Sequence, residues 1–226
     1  MTYTIAIIPA KSNSRRLPNK NFRKLNKKHL FEYSIDFAKG SPQINEIFVS
    51  SDSDDILRIS KKKNVSVFKR SRLLCNDNIK NFDVLLHHYN ELKISNKKPE
   101  IIALIQPTTP FRESEDLTYM LSKFKEEKKA DSLITLKEIK RSRGKLFGKY
   151  WVKNNSIDNN SKNLQSSKEY EATGHLILLR PENTLEKNSI LGKNILGEIL
   201  PTNWPDIDID TSEDWEDAER FIRRGI

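Results

Sequence analysis

The residues of this chain that could do chemistry fall into three groups far apart in sequence. In the first, Lys11, Arg15, Arg16, Lys20, Arg23 and Lys24 follow directly on the apolar run Ile5-Ala6-Ile7-Ile8, with no acidic residue among them. A polyphosphate needs several cationic donors at once, and Lys and Arg side chains with backbone N–H groups supply them. A buried strand that runs into such a loop puts the charges at the carboxyl end of a sheet, where open α/β folds bind ligands. Charge alone would suit a solvated surface equally well, and it is the position after the strand that favours an anion site. Neither common nucleotide fingerprint is present, since G-x-x-x-x-G-K-(S/T) and G-x-G-x-x-G are both missing.

The second group is Asp206, Asp208 and Asp210, which alternate with Pro205, Ile207 and Ile209 and so share one face of an extended segment. Carboxylates this close repel one another, and a shared divalent cation relieves the repulsion. Hard oxygen ligands suit Mg²⁺, which takes one or two protein carboxylates together with phosphate oxygens and water. A solvated edge strand would show the same alternation. Together with the basic loop, however, the carboxylates complete what phosphoryl transfer requires: cations on the phosphates and a metal held by acids. The third group, Gln106-Pro107-Thr108-Thr109-Pro110, ends the apolar run at residues 101–105. Its prolines fix the backbone, and Gln106, Thr108 and Thr109 offer donors and acceptors to a hydroxylated ligand, although a generic loop has the same composition.

The elements that must position these groups are legible from periodicity. Strands are expected at residues 5–8, 44–50, 65–68, 101–105 and 132–136. Between them fall helical faces carrying Phe31, Ile35 and Ala38, then Ile56, Leu57 and Ile59, then Phe82, Leu85, Leu86 and Tyr89, then Leu117, Met120, Leu121 and Phe124. Gly40 ends the first of these helices, Ser53 or Asp54 caps the second, and Ser114 is the expected N-cap of the fourth. Such alternation predicts an α/β fold with a mainly parallel sheet and helices on both faces. The apolar run at residues 101–105 reads as a central strand buried on both sides. The pattern breaks over residues 137–171, a polar, Asn/Ser/Lys-rich excursion with Gly144, Gly148, Tyr150 and Trp151, either a small hairpin or a surface insertion. Strands resume at residues 175–179 and 195–200. Thr211 and Asp214 have capping-box spacing ahead of a last helix through Trp215, Ala218 and Ile222.

At 226 residues the chain suffices for a single domain with one small insertion. Its 36% apolar and 31% charged residues predict a soluble globular protein. No apolar run approaches the roughly 20 residues of a membrane span, and no basic segment precedes the short apolar run at the N-terminus. Cytoplasmic localisation is expected, in keeping with a lone cysteine, Cys75. The net charge of +9 raises nucleic-acid binding. The lysines are spread along the chain without an aromatic-and-basic platform, so nucleic acid is not the expected partner.

The residues from Ala10 to Asn21, AKSNSRRLPNKN, resemble the opening motif of the CMP-sialic acid synthetases (acylneuraminate cytidylyltransferases), roughly A-R-x-x-S-(K/R)-x-(L/I)-P-x-K-N. LIQPTTPFR, ending at Arg112, is similar to that family's LQPTSPLR, and Asp208-Ile209-Asp210-Thr211 to its DIDT. The resemblance implies a Rossmann-like, three-layer nucleotide-diphospho-sugar transferase fold and a homodimer built through the excursion. It implies transfer of CMP from CTP to the anomeric hydroxyl of a nonulosonic 2-keto sugar acid, for cell-surface polysaccharide biosynthesis. On the matching positions, Ala10, Lys11, Ser14, Arg15, Lys20, Asn21 and Arg70 would bind the nucleotide, and Asp208 and Asp210 would bind Mg²⁺. Arg15, Lys20 and Asp210 would carry catalysis, and Gln106, Thr108, Thr109, Thr173 and Gly174 would meet the sugar.

Three departures mark the acceptor side or its border. Lys11 replaces an arginine, keeping the charge but losing its planar fork. Glu171-Ala172-Thr173-Gly174 stands where the family has R-x-N-G, and an upstream Arg-Gln pair has no clear match around Asn163-Leu164-Gln165. The expectation is conserved nucleotide chemistry with an unusual acceptor such as a legionaminic or pseudaminic acid. His175 beside Gly174 is either a pocket residue or a structural histidine. The alternatives are a nucleotidyltransferase acting on 3-deoxy-manno-octulosonate or a sugar phosphate, and a non-catalytic nucleotide-binding relative.

Overall fold

The computed structural model describes residues 2–76, 78–139, 144–147, 150–153, 169–200 and 204–224. In chain order the elements are β1 (Thr4–Pro9), β2 (Lys24–Leu25), β3 (Lys28–His29), α1 (Leu30–Lys39), β4 (Glu46–Ser51), α2 (Asp54–Lys62), β5 (Ser66–Lys69) and α3 (Asn81–Ile94). Then follow β6 (Ile101–Leu104), α4 (Ser114–Glu126), β7 (Ser132–Glu138), β8 (Gly144–Phe147), β9 (Tyr150–Lys153), β10 (Tyr170–Leu179), β11 (Ile195–Ile199) and α5 (Ser212–Arg223). Seven strands form one sheet in the order β11-β7-β10-β6-β1-β4-β5.

Strand β1 lies inside the sheet because every side chain of its apolar run, Ile5 to Ile8, has a core to enter. Ala6 and Ile8 point to a cluster with Phe31 and Ile35 of α1, Ile56 of α2 and Phe124 of α4. Ile5 and Ile7 point the other way, to Leu85, Tyr89 and Leu92 of α3. This period-two division is why the run lacks polar residues, and the helices on either face make three layers. β1 pairs in parallel with β4 and with β6, and β4 with β5. β10 runs antiparallel between β6 and β7, while β11 is parallel to β7. The mainly parallel sheet is as expected. The reversed direction of β10 is a feature that side-chain alternation does not encode.

One helix end differs from expectation. Glu113, not Ser114, is the N-cap of α4, and the Ser114 hydroxyl instead donates to the Phe37 carbonyl at 3.0 Å. Gly40 does follow α1, but in ordinary right-handed geometry with φ −70°. Its glycine is required by crowding, since a Cβ there would lie 2.1 Å from Ser114 Oγ. Ser53 caps α2 through the amide of Ile56, and Thr211 with Asp214 closes the box at α5 as expected. Within residues 137–171, β7 continues to Glu138, β10 begins at Tyr170, and β8 with β9 forms a separate antiparallel ribbon. The positions around Asn163 lie outside the described residues, as does Gly148. Among the described residues no helix is long and apolar enough to cross a membrane.

Two histidines are enclosed by this core, His88 fully and His175 nearly so. Burial pushes His88 down from 6.5 to about 4 despite the opposing pull of Glu91, and burial lowers His175 as well. A neutral buried histidine lets the unfolded chain bind a proton that the native state refuses. Stability is therefore full above the ordinary value of 6.5 and falls as pH drops toward about 4. For His88 the loss between pH 7.5 and 5 is about 2 kcal/mol. The depressed carboxylates, such as Glu46 and Asp131, act below their ordinary values of 4.5 and 3.8 and so contribute little in that window. Thermal unfolding measured across it should show a falling midpoint in the natural protein and a flatter profile in His88→Gln; equal slopes would refute the assignment.

Candidate active site

The basic loop is held against the sheet's carboxyl end by contacts along its length. The amide of Ala10 donates to the Ser50 carbonyl at 2.8 Å, continuing the β1–β4 pairing past the strand. Ser12 then binds Asp52 at the end of β4 twice, by its amide at 2.7 Å and its hydroxyl at 2.6 Å. Burial raises the Asp52 carboxyl, but the Ser12 bonds outweigh it and leave the group below its ordinary range. Leu17 is buried with Leu25, Ile209 and Trp215, in a third apolar cluster that ties the loop to the acidic segment and to α5. Asn19 adopts a left-handed conformation, φ 53°, and turns the chain into a short 3₁₀ turn containing Lys20 and Asn21. The stretch just beyond is a tight hairpin of β2 and β3, with Asn26 and Lys27 both at positive φ. Lysine rarely takes that conformation, so the turn carries no signal in the sequence.

These constraints leave a cleft of about 530 Å³. Lys11, Ser14, Arg15, Lys20, Asn21 and Arg70 line it, as do Gln106, Thr108 and Asp210. The buried ammonium of Lys20 donates to the Ile209 carbonyl and to Asp210 Oδ1, both at 2.8 Å. Arg16 donates to the other oxygen, Asp210 Oδ2, at 2.5 Å. Asp210 precedes the first turn of α5, and its amide donates to the Asp214 carboxylate at 2.9 Å. Although burial pushes Asp214 upward, the bonds from Asp210 and Thr211 hold its carboxyl below the ordinary range.

Two buried polar atoms on cleft-lining side chains have no partner among the described residues, a donor on Arg70 (Nη2) and an acceptor on Asn21 (Oδ1). The Asn21 amide nitrogen donates to the Lys11 carbonyl at 2.9 Å, which fixes the side chain's orientation. Buried polar groups are nearly always satisfied, so an orphan donor and an orphan acceptor beside one cleft point to a ligand carrying both functions. Gln106 is also pre-set: it accepts from Asn81 at 3.0 Å and donates to the Gly174 carbonyl at 3.2 Å. A Cβ on Gly174 would lie 3.3 Å from the Gln106 amide and 3.6 Å from Asp208 Oδ2, so glycine lets these two groups approach.

Not every expected residue reaches the cleft. The side chain of Ala10 is buried in the core. Thr109 is fully buried, with its hydroxyl 3.4 Å from the Gln106 carbonyl. Thr173 pairs with Thr135 at 2.6 Å, beside the irregularity where β10 shifts register. These three act on the framework. The three aspartates also separate: Asp206 is bound by Lys137, Asp210 by Arg16 and Lys20, and Asp208 stands exposed near Gly174. They do not form a three-ligand cluster. Two hard carboxylates completed by phosphate oxygens still match the donor set that Mg²⁺ prefers. His175 is structural, its Nε2 3.2 Å from the Pro205 carbonyl, and its backbone oxygen accepts from the half-buried Arg112 at 2.7 Å. Sequence counts Arg16 in the basic loop without giving it a role of its own, and it gives no sign of Asn81. Arg16 is one of two adjacent arginines, and only the fold tells which meets Asp210.

The model of the family described as cytidylyltransferase matches residues 5–191. The chain is 27% identical over 218 residues to the N-acylneuraminate cytidylyltransferase of Escherichia coli O18:K1:H7, covering 95% of this chain and 51% of that protein. It thus spans about half the length of that relative. To the CMP-N,N'-diacetyllegionaminic acid synthase of Legionella pneumophila it is 26% identical, covering 96% of this chain and 95% of the relative. Among solved structures, a CMP:2-keto-3-deoxy-manno-octonic acid synthetase complexed with CTP superposes over the full length of both chains with a TM-score of 0.74. Its sequence identity of 14% makes this a likeness of fold. The family match, the relatives aligned along nearly the whole chain and the shared fold agree: the chain belongs to the cytidylyltransferase family, with the CMP-sialic acid synthetases.

Proposed function

We propose that the protein transfers CMP from CTP to the anomeric hydroxyl of a nonulosonic, sialic-acid-like 2-keto sugar acid. The observation that carries this reading is the meeting of Lys20 with Asp210 at 2.8 Å in the wall of one cleft. It joins the basic loop to the acidic segment, so phosphate-binding cations and a metal-binding carboxylate face the same space. In the reaction the anomeric oxygen attacks the α-phosphorus, the bond to the bridging oxygen breaks, and pyrophosphate leaves with that electron pair. Arg15 and Lys20 offset the charge on the α-phosphate and the leaving group, an electrostatic contribution fixed before reaction. Asn21 and Arg70 hold the nucleoside end, and Gln106 faces the sugar beside Gly174. The proton of the attacking hydroxyl passes toward Asp208 or Asp210. Mg²⁺ held by these aspartates and by phosphate oxygens would supply charge neutralisation.

The excursion at residues 137–171, with its β8–β9 ribbon, is the proposed dimer contact, and the protein is proposed to act in the cytoplasm, feeding cell-surface polysaccharide synthesis. Pyrophosphate release from CTP, measured against a panel of sugar acids, tests the reaction. Turnover is expected with a nine-carbon 2-keto acid. No turnover with any of them would overturn the reading, and turnover with 3-deoxy-manno-octulosonate alone would transfer it to the alternative acceptor.

A further inference from the structure

Arg70 enters the cleft from the end of β5, and its backbone is pinned by its amide to the Ser51 carbonyl at 2.9 Å. The orientation of its guanidinium is set elsewhere. Arg70 Nε donates to the hydroxyl of Ser50 at 2.8 Å, and Ser50 Oγ lies 2.6 Å from His88 Nε2. His88 Nδ1 lies 3.0 Å from Glu91 Oε2. Every member has one way to bond. The carboxylate of Glu91 only accepts, so Nδ1 carries the imidazole proton and Nε2 is left as an acceptor. Ser50 then spends its single proton on Nε2 and keeps a lone pair for Arg70. The ring cannot turn away, because it stacks on Phe68 at 4.0 Å between centroids, and Phe68 stacks on Phe48 at 4.5 Å. Ser50 and His88 are both fully buried, and neither lines the cleft.

We propose that Ser50, His88 and Glu91 form a polar relay that positions Arg70 for the nucleotide, making His88 a positioning residue for CTP although it lies outside the cleft. The proposal rests on the reading of the cleft as a CTP site. A histidine serving only to fill the core would have no need to aim Nε2 at the one hydroxyl that holds a cleft arginine. The neutral ring that burial imposes is the form the relay requires, since a proton on Nε2 would leave Ser50 with two donors and no acceptor. Arg70 Nη2, buried and without a partner among the described residues, is the donor left for an incoming acceptor.

The test is CTP binding by calorimetry, combined with steady-state kinetics of pyrophosphate release. His88→Phe keeps the stacking and removes the acceptor, and Ser50→Ala removes the link itself. Each is expected to weaken CTP binding about tenfold, with kcat at saturating CTP within about twofold of the natural protein. His88→Gln, which restores an acceptor, should recover affinity to within about threefold. In an Arg70→Ala background His88→Phe should cause no further loss, an outcome that a general packing defect would not give. Unchanged affinity in Ser50→Ala and His88→Phe, with loss in Arg70→Ala, would overturn the relay and leave the nucleotide site standing. Unchanged affinity in Arg70→Ala would overturn the nucleotide role of Arg70 itself. Should His88→Phe fail to fold, Ser50→Ala alone and combined with Arg70→Ala decides the same question.

Discussion

Lys20→Met is expected to reduce CMP transfer about a thousandfold while leaving the protein folded. Lys20 is the one buried cation of the basic loop, 7% exposed, and it bonds both the backbone and the carboxylate of the acidic segment. A charge fixed in a low-dielectric wall acts on a developing pyrophosphate far more strongly than a solvated one. The exposed Arg16 keeps Asp210 paired after the substitution, and Asp210 is itself one-third exposed, so the cost in stability is about 1 to 2 kcal/mol. Initial rates of pyrophosphate release and circular dichroism of the same sample test the two halves together. A rate within tenfold of the natural protein would remove Lys20 from catalysis.

Asp210→Asn should show two effects of opposite sign. Its carboxylate now neutralises Arg16 at one oxygen and Lys20 at the other. Without that negative charge both cations are available to the triphosphate, and CTP should bind about five- to tenfold more tightly when Mg²⁺ is chelated. Turnover with Mg²⁺ should nonetheless fall about a thousandfold, because a metal proposed to be held there would lose a carboxylate ligand. Calorimetry in chelator and rates in Mg²⁺ read the two effects separately. Weaker binding in chelator would mean that Asp210 does not compete with the phosphates for these cations.

The first strand and the loop after it were legible because an apolar run with no polar face can only lie inside a sheet, and six cations without an acid must find an anion or water. The pairing of that loop with the aspartates was legible as chemistry, since cations and carboxylates together suit a metal–phosphate. What sequence could not resolve was direction, distance and identity among equals. Residues 175–179 read correctly as a strand, but alternation is the same in either direction, so the antiparallel course of β10 was hidden. Thr109 and Thr173 carry the same hydroxyl as Thr108, and only the packing shows that two of the three serve the framework. Gly40 is legible as the end of its helix, but the space it leaves for Ser114 is visible only in the packing. Ser50 and His88 gave no signal, because a buried serine and a buried histidine 38 positions apart in sequence become a pair only when β4 and α3 pack.

β7 and β10 are neighbours, and the pairing does not stop where the strands do: the amide of Ile139 donates to the Glu169 carbonyl at 2.8 Å. Whatever lies between those two residues therefore leaves and re-enters the domain at a single closed gate. For chain closed in this way, doubling its length costs only about 0.6 kcal/mol of closure entropy. A change in the length of chain closed there leaves the β7–β10 register in place. The sheet that carries the basic loop and the acidic segment is thus separable from whatever chain is closed at that gate.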